Sequence, residues 1–224
     1  MGASRSGNTT DMSPLMMAIE HSQPKQITML LAAGADANYA TTAGHTCLHV
    51  AADDGCFSVI AELVAAGADL ELRTGDTGAT PLIEACQPLH EEVGERQRLD
   101  TVRALLAAGA SAAAADDDGF TALHFAAQCG FASLVPALVR AGADAEQRAS
   151  SDNTTALMLA VAGEQEACVA ALIKAGCDVN ARSELGGETH TALTLGMELG
   201  LKSGGAILSA LRRAGATLPP AEGF

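Results

Sequence analysis

The fold is decided by residues 121–144, which read TALHFAAQCGFASLVPALVRAGAD. Apolar residues recur there at intervals of three and four on both sides of Gly130, which predicts two short helices separated by a break at the glycine. Thr121 can cap the first helix because its hydroxyl can accept a hydrogen bond from a backbone N–H. Gly142 suits the left-handed residue that ends a helix. The stretch therefore predicts a helical hairpin.

Two anchors of this stretch occur six times along the chain. The first is a Ser or Thr two residues before a Leu, and the second is Gly-Ala-Asp or a close variant. The spacings between successive first anchors are 33, 34, 41, 34 and 36 residues. A unit of two short helices is too small to bury its own apolar faces, so the units must stack on one another. The first anchors are Ser13, Thr46, Thr80, Thr121, Thr155 and Thr191, and the second begin at Gly34, Gly67, Gly109, Gly142, Gly176 and Gly215.

Composition limits the class of protein further. The chain has 224 residues, of which 48% are apolar and 18% charged, and this excludes a disordered chain. Aromatic residues make up 3% and Trp is absent, so the core must consist of Ala, Leu, Val and Ile. The formal net charge of −14 argues against nucleic acid as a partner, because phosphates need clustered Lys and Arg.

The sequence also predicts a compartment. It contains no apolar run of the roughly 18 to 20 residues that a membrane-spanning helix needs, and residues 1–10 lack the apolar stretch of a secretory signal. The six cysteines include no CxxC pair, which favours reduced thiols in a reducing compartment. We therefore expect a soluble, acidic, intracellular protein, cytoplasmic with the nucleus as a second compartment.

The repeated anchors resemble the ankyrin-repeat family, whose helix signature is T-P-L-H-x-A at a period near 33 residues. The match covers residues 11–217 in six repeats, with short tails at 1–10 and 218–224. The resemblance implies an all-α repeat solenoid of ankyrin repeats, in which helix–turn–helix units carry β-hairpin fingers along one edge. It also implies that His49 and His124, at the histidine of the signature, form hydrogen bonds with neighbouring backbone.

Two repeats depart from the pattern. The third contains about eight extra residues between its anchors, which we place at about 88–99. Glu92 and Arg96 have the i,i+4 spacing of a helical ion pair, so we predict a longer second helix, with a loop as the alternative. The last repeat, residues 183–217, has Arg212 where other repeats are apolar, as expected of a terminal capping unit.

The sequence offers no chemistry that indicates an enzyme, a metal or a cofactor. Cys47 and His49 lie two residues apart, but no second pair is close enough in sequence to complete a tetrahedral metal site. A general acid–base pair needs a pocket that perturbs its pKa values, and a solenoid offers an open groove. We therefore predict a non-catalytic protein without a cofactor.

The variable positions of the first helix in each repeat predict a partner-binding surface. An apolar line beside an acidic set favours a partner segment with basic and apolar side chains, and Phe125 is the best candidate for a dominant contact. Acidic residues of the fingers extend this surface. The predicted binding residues are Met17, Glu20, Val50, Asp53, Asp54, Glu84, Asp116, Asp117, Asp118, Phe125, Gln128 and Leu159.

Three residues are candidates for modification. Residues 1–6 fit the N-myristoylation pattern, which would modify Gly2; a disordered start explains the same residues. Asn38 and Asn180 lie at a position that, in ankyrin proteins, can be hydroxylated by an oxygen-dependent hydroxylase. Turn chemistry explains these asparagines equally well, and we favour it.

These observations lead to one preferred function and one alternative. The preferred function is a scaffold or adaptor that binds a segment of another protein through the concave face, which the first helices line, and through the hairpin fingers. The alternative is a subunit of a larger intracellular assembly that docks through the insertion in the third repeat. Both are consistent with a monomer or a subunit of a complex, and neither identifies the partner.

Overall fold

The computed structural model describes residues 11–87, 93–149, 152–185, 188–200 and 204–218. Short helices in pairs make up half of this part of the chain, which also contains a two-stranded antiparallel sheet that pairs β1 with β2. The elements are α1 (Pro14–Glu20), α2 (Pro24–Ala32), α3 (Cys47–Asp53), α4 (Phe57–Ala65), α5 (Pro81–Glu84), α6 (Glu95–Ala108), α7 (Ala122–Cys129), α8 (Val135–Arg140), α9 (Ala156–Ala162), α10 (Glu166–Ala175), β1 (Arg182–Leu185), β2 (Glu188–Thr191), α11 (Ala192–Glu198) and α12 (Gly204–Arg213).

The chain divides into two compact units, one ending at Asp116 and the other beginning at Asp117. In the first unit, α1, α3 and α5 are the first helices of three repeats and pack side by side, and α2, α4 and α6 form a second row. In the second unit, α7, α9 and α11 form the first row and α8, α10 and α12 the second. The predicted helix–turn–helix repeats are therefore confirmed.

Each described first helix begins at the predicted Ser or Thr. The Ser13 hydroxyl accepts a hydrogen bond from the backbone N–H of Met16 at 3.2 Å, and Thr80 accepts one from Ile83 at 3.4 Å. Alanine pairs such as Ala51 and Ala52 are completely buried, which lets neighbouring first helices approach closely. The cores are aliphatic, as the composition predicted; their fully buried residues include Leu15, Ile19, Leu48, Ile60, Leu63 and Leu105 in the first unit and Leu123, Leu138 and Leu172 in the second.

The fingers are mostly turns. Regular strands occur in the described residues only in the fifth finger, where Arg182 pairs with Thr191 and Leu185 with Glu188. An isolated bridge joins Ala149 and Thr154 in the fourth finger.

Two buried histidines tie their helices to a finger, as predicted. The Nδ1 of His49 lies 2.9 Å from the Thr46 hydroxyl, and its Nε2 lies 3.1 Å from the carbonyl oxygen of Ala79 in the next finger. His124 makes the same contacts with Thr121 and with the carbonyl oxygen of Gln147. Burial lowers the pKa of both imidazoles, that of His124 to about 4.

The lowered pKa of His124 predicts a loss of stability in acid. Between pH 6.5 and 4 the unfolded chain takes up a proton that the folded chain does not. The free energy of unfolding therefore decreases as the pH is lowered through this range. The full loss from this group is about 3 kcal/mol, and above pH 6.5 the group has no effect. Urea unfolding from pH 7 to 4 measures this loss of stability. We expect the stability of the His124→Gln variant to depend less on pH. An equal slope in both proteins would contradict the assignment.

Candidate partner-binding site

The structure places the predicted binding residues in two groups, one in each unit. In the first unit, Met17, Val50 and Glu84 occupy the same position, four residues after the anchor, on the adjacent helices α1, α3 and α5. The side chain of Met17 is 43% exposed and Val50 is partly exposed, but Glu84 is only 4% exposed. The apolar line is thus accessible, whereas the structure buries the carboxylate that we had placed beside it.

Met17 also borders an apolar cavity. The cavity has a volume of about 560 Å³ and lies on α1 and α2. Its lining includes Met29, which is 71% exposed, together with Pro14 and Leu30. An accessible apolar surface therefore continues from the first-helix row around the side of the first repeat.

The acidic residues of this unit differ in their surroundings. Glu20, Asp53 and Asp54 are partly exposed at or just beyond the C-terminal ends of α1 and α3. Glu84 instead forms an ion pair with His45, in which the Glu84 Oε1 lies 3.1 Å from the His45 Nε2. This hydrogen bond raises the pKa of the His45 imidazole, and the nearby charges of Glu84, Asp76 and Asp53 add to the rise. The sequence analysis did not identify His45, because it lies in a finger rather than in the repeated motif.

In the second unit the predicted residues surround an aromatic pair. The Phe125 ring is partly exposed, and its centroid lies 5.9 Å from that of Phe120 in a tilted arrangement. The Phe120 ring also makes an edge contact with His124 at 5.7 Å. On the same row of helices, Gln128 is exposed and Leu159 partly exposed. Phe125 is therefore accessible on a face that Phe120 supports.

The acidic residues of the fingers fall into two groups, those at the boundary of the two units and those bonded to the following repeat. Asp116 is partly exposed at the end of the first unit, and Asp117 and Asp118 are exposed at the start of the second. Glu71 and Glu146 instead accept hydrogen bonds from the backbone N–H groups of Ser111 and Asp178 in the following repeat, at 2.8 and 2.7 Å. Glu71 and Glu146 therefore hold one repeat against the next.

Asn38 and Asn180 also form hydrogen bonds that hold one repeat against the next. Asn38 donates to the carbonyl oxygen of Gly67 and accepts from the N–H of Asp69, both at 2.7 Å. Asn180 donates to Gly215 at 3.1 Å and accepts from Thr217 at 2.8 Å. These bonds join successive repeats, whereas the turn chemistry that we favoured acts within one finger; hydroxylation of either stays a prediction.

The described part of the third-repeat insertion packs against its own unit. Helix α6 has 14 residues and begins at Glu95. Its Gln97 donates to the carbonyl oxygens of Asp54 and Gly55, both at 3.2 Å. Its Arg98 is 1% exposed and donates to the carbonyl oxygens of Ala85 and Gln87, beyond the end of the one-turn helix α5. Charge alone gave no sign that Arg98 would be buried.

Some predicted features lie outside the described residues. They are Gly2, the first part of the insertion at 88–92, and with it the Glu92 half of the proposed pair with Arg96. Within the described ranges, no group of three or more His, Cys, Asp or Glu side chains could hold a metal ion. The same ranges contain no helix long and apolar enough to cross a bilayer.

Tandem helical hairpins, each joined to the next through a finger, define a repeat protein. A family model described as ankyrin repeats (3 copies) matches residues 15–96 and 89–183, so the chain belongs to the ankyrin-repeat family. Ankyrin repeats bind other proteins and are in general not catalytic.

Two curated relatives share this region. The B-cell lymphoma 3 protein homolog of Mus musculus is 34% identical over 148 residues, which cover 64% of this chain and 30% of that protein. Ankyrin repeat and SOCS box protein 16 of Homo sapiens is 39% identical over 119 residues, which cover 53% of this chain and 26% of that protein. The matched part of this chain thus spans less than a third of the length of either relative.

The contacts of Asn38 predict its contribution to stability. Asn38→Ala removes a donor to Gly67 and an acceptor for Asp69, and we expect it to lower the free energy of unfolding by about 1 kcal/mol. Asn38→Asp keeps the acceptor but sets a carboxylate oxygen against the carbonyl oxygen of Gly67, so it should cost at least as much. Urea unfolding measures both. Gln26→Ala, at an exposed helical position, is the control and should stay within about 0.5 kcal/mol of the wild type. An effect of Asn38→Ala no larger than that of the control would contradict the structural role.

Proposed function

We propose that this chain is a non-catalytic scaffold that binds a segment of a partner protein through the first helices and fingers of its repeats. The observation that carries the proposal is the position of Met17 and Val50. Both are accessible apolar side chains at the same place on adjacent helices, with partly exposed carboxylates at the helix ends. The stacking of the repeats leaves this row of side chains open, and its composition suits a segment with apolar and basic residues.

The acidic residues of the first unit favour a partner segment with positive charge. Glu20, Asp53 and Asp54 lie on the first-helix row of the first unit, within a chain whose formal net charge is −14. Partly exposed charges of this kind mainly speed the encounter and select the sign of the partner, and their effect weakens as salt screens them. A basic segment should therefore associate faster at low ionic strength than at high.

The aromatic pair supports a contact in the second unit. Phe125 is large, partly exposed and in contact with Phe120. Partly exposed aromatic residues with a rigid support are frequent sites of dominant binding energy. We therefore assign to Phe125 the main apolar contact of this unit, with Gln128 and Leu159 beside it.

The assembly-subunit alternative receives less support from the described residues. It requires the third-repeat insertion to present a docking surface, and the described part of the insertion is used inside the first unit. Gln97 and Arg98 both make hydrogen bonds to backbone carbonyls of that unit. The scaffold function is therefore preferred.

Charge reversal tests the proposed surface. We expect Glu20→Lys, Asp53→Lys and Asp54→Lys together to slow association with a basic partner about tenfold at low salt. Glu84 is left unchanged because a lysine in its buried position would disturb folding. Proteins that co-purify with the full chain are first identified, and their association with the purified variants is then timed at low and high salt.

A matched variant controls for net charge. Glu62→Lys, Glu95→Lys and Glu166→Lys make the same change in charge at exposed positions on the second helices α4, α6 and α10. We expect this control to retain most of the association rate. Equal slowing by both triple variants would contradict the surface and leave only an effect of overall charge.

The aromatic contact has its own test. Phe125→Ala should weaken binding of the same partner by at least 2 kcal/mol if the ring fills a pocket in the complex. Phe57→Ala removes a ring that is 45% exposed at the start of α4 and is the control. Isothermal calorimetry measures both affinities. Equal losses in the two variants would remove Phe125 from the site.

A further inference from the structure

The carboxylate of Glu84 is in an unusual position for a residue on the first-helix row. It is 4% exposed, and its Oε1 is paired with His45 at 3.1 Å. The other oxygen, Oε2, is fully buried and accepts no hydrogen bond from any residue that the structure describes. Buried carboxylate oxygens are normally supplied with donors, because the loss of water is otherwise uncompensated. Glu84 therefore has an acceptor that the described residues of its unit leave unused.

Glu84 is one of three carboxylates that act on His45. Asp53 on α3 and Asp76 in the second finger both act on His45 electrostatically, in addition to Glu84. Within the described residues, no Arg or Lys forms an ion pair with Glu84. One imidazole thus faces three carboxylates. A further cation placed here would gain both a hydrogen-bond acceptor and a favourable field.

His45 forms the more exposed side of this ion pair. The side chain of His45 is 30% exposed, and its ring meets that of His49 edge-on at 5.8 Å. The backbone beside it is held in place, because the N–H of Gly75 donates to the carbonyl oxygen of Ala43 at 2.7 Å. A Cβ on Gly44 would lie 2.6 Å from the Gly75 nitrogen, so the two fingers are closely packed. An arginine that reaches the Glu84 carboxylate would therefore have to displace the His45 side chain.

We infer that the His45–Glu84 pair is a binding position for an arginine side chain of the partner segment, with Glu84 Oε2 as its acceptor and His45 turned aside. This assignment rests on the proposed protein-binding function and specifies one residue of the partner. Arginine suits the position better than lysine because its planar guanidinium presents a fork of N–H donors to a carboxylate and can stack on the imidazole.

The arrangement also sets a pH dependence for binding. The groups that face His45 are Glu84 on α5, Asp53 and His49 on α3, and Asp76 in the second finger. A protonated His45 neutralises Glu84 and competes with an arginine for it. Deprotonation of His45 removes its positive charge and so weakens the competing interaction, and the affinity for arginine should increase as pH rises through the pKa of His45.

A peptide selection tests the inference without a known partner. A phage library of random dodecapeptides is selected on the full chain, and the enriched peptides are synthesised with each arginine replaced by citrulline, a neutral side chain of nearly the same shape. We expect one arginine to be required, with at least a tenfold loss of affinity for the wild type. Against Glu84→Gln the same replacement should cost less than threefold. Glu62→Gln, which removes a carboxylate from an exposed position on the second helix α4, is the control and should keep the tenfold loss.

The outcomes separate the two levels of the proposal. A library that enriches no sequence on the wild type contradicts the binding function, and the inference falls with it. Peptides that bind, but whose arginine is equally important for Glu84→Gln, overturn the inference alone. Peptides in which lysine replaces arginine without loss overturn the choice of arginine.

A measurement on the wild type alone covers the case in which Glu84→Gln does not fold. The affinity of the arginine peptide is measured from pH 5.5 to 8.0 beside that of its citrulline form. We expect the ratio of the two affinities to rise with pH. A constant ratio would show that His45 and the arginine do not compete, and would overturn the inference.

Discussion

Each helical hairpin in this protein has a face that only its neighbour can cover, and the rest of the structure depends on that constraint. The buried alanine pairs and the hydroxyl-capped helix starts bring first helices together at the same height in successive repeats. The fingers are then held between repeats by side chains such as Asn38 and Glu71, which bond to backbone groups of the following repeat. Stacking therefore determines which side chains are buried or bonded between repeats and which remain exposed for a partner.

The positions that remain are equivalent in every repeat, but their occupants are not. Met17, Val50, Phe125 and Leu159 leave apolar surface at the fourth residue after the anchor. Glu84 occupies the same position and is buried as a carboxylate beside His45. Packing does not require an acid there, because apolar side chains fill the equivalent place in other repeats. The burial of this charge beside His45 is the observation behind the proposed arginine position.

The sequence alone predicted the repeat architecture because the anchors are local: a capping hydroxyl, an apolar period and a closing glycine each act within one unit. The hydrogen bonds of His49 and His124 followed from the family signature. Three features did not follow, since each depends on contacts between segments far apart in sequence. The burial of Glu84 requires a finger residue 39 positions earlier, and that of Arg98 requires carbonyl groups beyond helix α5. The bonds of Glu71 and Glu146 to the next repeat could have been found by comparing them with Asn38 and Asn180, which occupy the same position.

The net charge of this protein does not show which acidic side chains are available to a partner, because the fold uses several of them. Asp36, Asp69, Asp144 and Asp178 each accept a hydrogen bond from the N–H two residues further on, and so shape their own turns. Glu71 and Glu146 are likewise satisfied by backbone donors. Carboxylates of this kind add to the formal charge of −14, but the fold already uses one oxygen of each. Specific recognition of a cation requires an acceptor whose hydrogen bonds the fold leaves incomplete, and in the described residues Glu84 fits that requirement through its Oε2.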